Sequence, residues 1–158
     1  VRSGAYERAI RRLRPDPQTR IDAQPCPLLV PLVEEGWTEA TDPVSQLVLH
    51  RYLATLAQRS PEMDTLVLGC THYPLLRPAI ERAVAELWSH PVTLVDSAQA
   101  MADATERLLR RESLLADEST WSPEHDRLTC FVTDEARVAE VGSRFLGQTL
   151  GSIQLVDL

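Results

Sequence analysis

The sequence predicts an α/β fold with a parallel, doubly wound sheet, and three observations carry that prediction. Short apolar runs of strand type alternate along the chain with stretches of helical period. The helical stretches run to roughly 12–17 residues, long enough to cross back over a sheet and begin a parallel strand. One of the runs, Thr65-Leu-Val-Leu-Gly69, reads as a fully apolar strand, the kind buried on both faces of a parallel sheet.

In chain order, Arg2 to Leu13 reads as a helix. Thr19-Arg-Ile-Asp-Ala-Gln24 reads as a short strand leading into a passage rich in proline, residues 25–36. Pro25, Pro27 and Pro31 argue against a regular helix there and predict an ordered loop. From Asp42 the period is helical: Asp42 suits the cap and Pro43 the first turn. Val44, Leu47, Val48, Tyr52 and Leu56 would share one face. After the Thr65–Gly69 strand, Leu76, Ile80, Ala83, Val84 and Leu87 fall at helical spacing, with the helix starting near Pro74. Val92–Val95 is the next strand, Asp96 or Ser97 the cap, and Ala98–Arg111 a helix. Residues 112–127 are acidic, serine-bearing and aperiodic, as in a surface loop or hinge. Leu128–Thr133, a helix around Val138, Val141 and Phe145, and Ile153–Val156 close the pattern.

Composition narrows the function classes. With 158 residues, 44% of them apolar and 25% charged, the chain resembles an ordinary folded domain and neither a disordered nor a fibrous one. No apolar run approaches the ~20 residues that span a bilayer, so no membrane partner is expected. A net charge of -7 argues against a nucleic-acid partner. All 16 basic residues are Arg, a bias that carries no functional reading. The three cysteines, Cys26, Cys70 and Cys130, are odd in number and far apart, which fits reduced thiols and a cytoplasmic protein. They also lack the spacing of a metal site, so no metal is expected. Beginning at Val1 and running straight into a helix, the chain reads as a piece of something longer, with no secretory signal.

Sites in open parallel sheets form at the carboxyl ends of strands. Leu66-Val-Leu-Gly-Cys-Thr-His-Tyr-Pro-Leu-Leu76 stands out there. Gly69 lets the backbone turn sharply or approach a ligand, and Cys70 follows in front of a helix. Helix N-termini carry partial positive charge, which favours thiolate over thiol. His72 could serve the same site as an acid, base or orienting partner. Thr71 adds a hydroxyl and a backbone N–H suited to a substrate carboxylate. The plain alternative is a packing cysteine, since free Cys is among the most buried residue types. Cys26 and Cys130 are read as structural, and His50, His90 and His125 as solvent-facing or capping. Trp37, Trp88 and Trp121 make no stacking platform for single-stranded nucleic acid.

Leu68-Gly-Cys-Thr-His-Tyr-Pro-Leu-Leu76 resembles the second cysteine motif of the glutamate racemases, a branch of the aspartate/glutamate racemase superfamily. Further segments resemble the family in order: Val1-Arg-Ser-Gly-Ala-Tyr6, Pro25-Cys-Pro-Leu-Leu-Val-Pro-Leu-Val-Glu34 and Val92-Thr-Leu-Val-Asp-Ser97. His72 favours this branch over the aspartate racemases, which usually carry Glu there. The resemblance implies a cofactor-independent isomerase that interconverts L- and D-glutamate for peptidoglycan, cell-wall biogenesis and cell shape. Its mechanism would use two opposed cysteines, one from each lobe of a pseudosymmetric pair. Cys70 would be the base that takes the proton from L-glutamate, aided by His72. Thr71 and His72 would hold the substrate's polar groups, and Glu34 matches a loop glutamate near the site. The partner implied is the substrate glutamate, with a homodimer as one arrangement of the full-length protein.

The departure from the family is large. Its first lobe supplies an Asp-Ser pair, a Pro-Tyr-Gly segment and a Cys-Asn-Thr motif bearing the opposed cysteine, and none of these first-lobe motifs is present, Asp96-Ser97 belonging to the later segment already matched. The expected architecture is therefore an incomplete part of a two-lobe racemase. Residues 1–95 would form most of the second lobe, and residues 96–158 a segment that returns to complete the missing first lobe. Alone, the chain is expected not to racemise glutamate. Two alternatives stay open: a one-cysteine lyase or isomerase of the same superfamily, and a non-catalytic α/β interaction module.

Overall fold

The computed structural model describes residues 3–116 and 128–157. It is α/β with parallel strands, divided into two compact units, Val1–Ala100 and Met101–Leu158. Trp121 and His125, with most of the acidic stretch before Leu128, lie outside the described residues.

The first unit runs α1 (Ala5–Leu13), α2 (Leu29–Glu34), α3 (Pro43–Arg59), β1 (Thr65–Leu68), a 3-10 turn (Tyr73–Leu76), α4 (Arg77–Leu87) and β2 (Thr93–Asp96). Strands β1 and β2 pair in parallel, Thr65 opposite Thr93 and Leu68 opposite Asp96, with α4 as the crossover. All of the buried apolar residues described belong to this unit. Leu49, Leu53 and Leu56 of α3 meet Ile80, Ala83 and Val84 of α4, with Leu32 and Val33 from α2 and Leu68 from β1.

Helix α3 begins as its sequence dictates. Asp42 Oδ1 accepts a hydrogen bond from Ser45 N at 2.8 Å, and Pro43 sits in the first turn, where a missing N–H costs nothing. Replacing Asp42 with Ala is expected to destabilise the fold by about 1 kcal/mol. That would appear as a lower urea midpoint at unchanged slope, and an unchanged midpoint would refute the capping role.

Three expectations need correction. The proline-rich passage contains a helix, α2, because Pro31 is its third residue. The N–H groups of a first turn have no intrahelical partner, so proline is tolerated there. Thr19–Gln24 is not a strand. It is held by side chains instead: Arg20 donates to the Arg59 carbonyl, Arg59 Nη2 to Gln24 Oε1 at 2.8 Å, and Ser60 Oγ to Asp22 Oδ2. The Ser60 hydroxyl, with Arg20, holds the Asp22 carboxyl below its ordinary value. The face of α3 is rotated from the expected one. Leu56 is buried and Val48 and Tyr52 pack against the core as expected, but Ser45, Leu49 and Leu53 are buried too, whereas Val44 and Leu47 are 44% and 72% exposed. Ser45 goes inside because its hydroxyl donates to the Trp37 carbonyl at 2.6 Å, so burial leaves no polar atom unpaired.

β1 is covered on one face only. Leu66 and Leu68 point to the helices, while Val67 and its register partner Val95 point the other way and are each 41% exposed.

The second unit contains most of α5 (Ser97–Arg111), then β3 (Thr129–Val132), α6 (Val138–Leu146) and β4 (Ser152–Leu155). Asp96 caps α5, its Oδ1 accepting from Gln99 N at 3.0 Å. β3 and β4 pair in parallel around α6, Thr129 opposite Ser152. Neither α5 nor α6 has a buried residue, and Phe131 and Leu155 stand 64% and 58% exposed.

Candidate active site

The carboxyl end of β1 leads through Gly69 into Cys70, Thr71 and His72. Gly69 sits at a close approach: a Cβ there would lie 3.3 Å from the Tyr6 ring of α1, so the ring would have to shift by a few tenths of an ångström. The helix after the turn does not start as an α-helix near Pro74. Tyr73–Leu76 is a 3-10 turn with Pro74 at its start, and α4 begins only at Arg77. Pro74 and Pro78, two positions before and two positions after Leu76, lack N–H donors, so the first turn closes with the shorter 3-10 spacing.

Four predicted residues come together here. Cys70 Sγ lies 3.9 Å from His72 Nδ1, and His72 Nε2 lies 3.3 Å from Glu34 Oε1. Thr71 Oγ1 is 3.4 Å from the same Nδ1. Glu34 is the last residue of α2, which packs against the 3-10 turn. With Nε2 protonated and donating to the Glu34 carboxylate, Nδ1 is left as an acceptor for the thiol or the threonine hydroxyl. Cys70 and His72 are partly buried, and Thr71 is exposed.

Two residues around the site were not found from sequence. Tyr73 donates its hydroxyl to the Cys26 carbonyl at 3.0 Å, and its N–H to the Cys70 carbonyl at 3.3 Å. It thereby ties the Cys70 turn to the passage that leads into α2. The available signal was the tyrosine within the motif, because a half-buried tyrosine hydroxyl needs a partner. Arg77 Nη1 meets Asp96 Oδ2 at 2.8 Å, joining the start of α4 to the end of β2.

Cys26 behaves as a structural thiol: burial pushes it from 9.0 up to about 11. Tyr73 is pushed from 10.0 up to about 12, chiefly by burial and then by the neighbouring Cys26. Both are acids held protonated longer in the folded state than in the unfolded one. Their contribution is full below the unfolded values and is lost as pH rises through the folded ones. The urea midpoint is therefore expected to fall between pH 9 and pH 11, and Tyr73→Phe should flatten part of that fall. A midpoint constant across this interval would refute the assignment.

The remaining sites are structural. His50 Nε2 pairs with Glu86 at 2.8 Å, and His90 Nε2 lies 2.8 Å from the Met63 carbonyl. All three cysteines are free. Among the described residues, no group of three or more His, Cys, Asp or Glu is placed to hold a metal ion, and no helix is long and apolar enough to cross a membrane.

A thiol, an imidazole and a carboxylate gathered at the carboxyl end of a parallel strand are proton-transfer groups. Each of them can take or give a proton near neutral pH when its surroundings favour it. No family model matches the chain. A glutamate racemase of Syntrophus aciditrophicus is 45% identical over 159 aligned residues, covering 100% of this chain and 54% of that protein. One from Neisseria meningitidis is 44% identical, with 53% of its length covered. Among solved structures, a glutamate racemase isoform of Bacillus anthracis superposes with a TM-score of 0.77 at 30% identity, over 99% of this chain and 53% of that one. The Thermus thermophilus glutamate racemase, solved with β-chloro-D-alanine, gives 0.71 at 35% identity, over 100% of this chain and 53% of its own. The chain is similar to glutamate racemases along its whole length, and spans about half the length of the curated relatives that it matches.

Proposed function

We propose that this chain supplies one half of a two-base glutamate racemase site, with Cys70 as the base that faces L-glutamate. The observation that carries the reading is the Cys70–His72–Glu34 contact, with the thiol 3.9 Å from an imidazole whose far nitrogen is 3.3 Å from a carboxylate. In the forward direction the Cys70 thiolate takes the Cα proton, leaving a thiol and a carbanion delocalised into the substrate carboxylate. An opposed acid from the other half delivers a proton to the opposite face, giving D-glutamate and a conjugate base. The two groups exchange protonation states, so the reverse turnover or solvent resets them. No cofactor enters the reaction written this way.

His72 receives or orients the thiol proton, and Glu34 fixes the imidazole in the tautomer whose Nδ1 is an acceptor. Thr71, exposed beside it, presents a hydroxyl to the substrate's polar groups. D-Glutamate made this way would enter peptidoglycan in the cytoplasm, a compartment in keeping with three free thiols.

The test is complementation. The part of the Syntrophus racemase that this chain does not match, joined to it or mixed with it, is expected to restore racemisation of L-glutamate. Neither part alone should turn over. A folded, joined protein without racemase activity would overturn the reading.

A further inference from the structure

Helix α2 carries Glu34 at its last position, so the site depends on where this six-residue helix lies against the Cys70 turn. At roughly 9 Å it is too short to be stable without outside support. Leu29, Leu32 and Val33 bury its apolar side in the core. Apolar contacts are non-directional, and they tolerate a small slide or rotation that hydrogen bonds resist. Hydrogen-bonding contacts to the Cys70 turn lie at both ends of the helix. At its exit, Glu34 Oε1 is 3.3 Å from His72 Nε2. At its entry, the Tyr73 hydroxyl donates to the Cys26 carbonyl at 3.0 Å.

The entry contact is the firmer of the two. The Cys26 carbonyl also accepts from Leu29 N at 3.1 Å, so the oxygen that Tyr73 holds is the one on which α2 opens. Pro25 and Pro27 stiffen the backbone on either side of it. Leu28 N donates to the Tyr52 hydroxyl at 3.4 Å, which ties the same passage to α3. At its other end Tyr73 belongs to the Cys70 turn: it follows His72 directly, and its N–H donates to the Cys70 carbonyl at 3.3 Å. One side chain therefore bridges the turn that bears the thiol and imidazole to the start of the helix that bears the carboxylate.

We propose that Tyr73 is a positioning residue of the proton-transfer site, its hydroxyl holding α2 where the Glu34 carboxylate reaches His72 Nε2. Without that hydroxyl the entry of α2 is released from the turn. The Glu34–His72 contact, at the long end of the hydrogen-bonding range, is then the one that lengthens. His72 loses the carboxylate that fixes its tautomer, and Cys70 loses an oriented acceptor. A misplacement of about 1 Å can cost ~100-fold in rate, so turnover suffers before substrate binding does. This role rests on the reading of Cys70, His72 and Glu34 as half of a racemase site, and names what keeps the three in register.

The test has one readout in the chain by itself and one in the chain joined to the unmatched part of the Syntrophus racemase. In the chain, the His72 Nε2–H proton is followed by NMR with labelled histidine. Tyr73→Phe, which keeps the ring, is expected to speed its exchange with water about tenfold, toward the rate in Glu34→Gln. Asp42→Ala, a destabilising change at the start of α3, is expected to leave that exchange unchanged. In the joined enzyme, Tyr73→Phe is expected to lower kcat about tenfold with KM for glutamate within about twofold. Adding it to Glu34→Gln should cost little more than Glu34→Gln alone. Unchanged exchange in Tyr73→Phe overturns the role even if kcat falls, and so does an equal change in Asp42→Ala. Losses that multiply in the double variant, or a raised KM with kcat kept, overturn it too. A joined wild-type protein without racemisation, in which Tyr73→Phe still quickens the exchange, removes the proposed function and leaves the positioning role standing.

Discussion

Cys70→Ala in the completed two-half enzyme is expected to lower racemisation in both directions by about 100- to 10,000-fold. Each direction needs one group to take the Cα proton and another to supply one, so losing either group stops both. The two faces can still be told apart. With Cys70 gone, the opposed base can remove and return the proton of D-glutamate on its own face. In deuterated water, label should therefore enter D-glutamate without inversion, while L-glutamate keeps its hydrogen. Label entering L-glutamate at the original rate would remove Cys70 from the reaction. Substituting His72 or Glu34 acts through Cys70 instead, and is expected to change the pH profile of turnover more than the substrate KM.

The site was legible in sequence only in part, and the reason is distance along the chain. Cys70, Thr71 and His72 share one turn, so their proximity follows from spacing alone. Glu34 and His72 are 38 residues apart and meet because α2 packs on the 3-10 turn. No periodicity announces that contact, and the family resemblance alone pointed to Glu34. Tyr73 and Arg77 stayed hidden for the same reason, since their partners Cys26 and Asp96 are remote in sequence.

The fold was legible wherever local chemistry decides. Asp42 and Pro43 start α3 by rules that involve only the residues of one turn. Residues 19–24 and the face of α3 were misread because neither is decided locally. A strand exists only with a neighbour, and α3 carries two apolar stripes, Val44-Val48-Tyr52 and Leu49-Leu53-Leu56. Packing chose the second stripe, leaving Val44 exposed and Tyr52 at the rim of the core. The parallel pairing of β1 and β2 was legible because the intervening helix requires it.

Leu76→Ala should produce the largest loss of stability in the first unit. Leu76 is 0% exposed, packs in the core cluster, and ends the 3-10 turn that carries the residues after Cys70. Deleting its buried methyl groups removes their transfer free energy and leaves a cavity, a cost of about 2–5 kcal/mol. That is a large share of the ~5–15 kcal/mol that holds a typical domain together. The neighbouring core cannot readily collapse into the gap, because Ala79 and Ala83 beside it have no side-chain length to move. Val67→Ala, at 41% exposure on the same strand-turn-helix unit, should cost far less. The comparison by urea unfolding separates burial from position: a similar loss in both variants would show that Leu76 is not the anchor of the turn. If it is, Leu76→Ala loosens the Cys70 turn before the whole unit melts, and hydrogen exchange at Tyr73 and Leu75, whose amides bond to the Cys70 and His72 carbonyls, should quicken first.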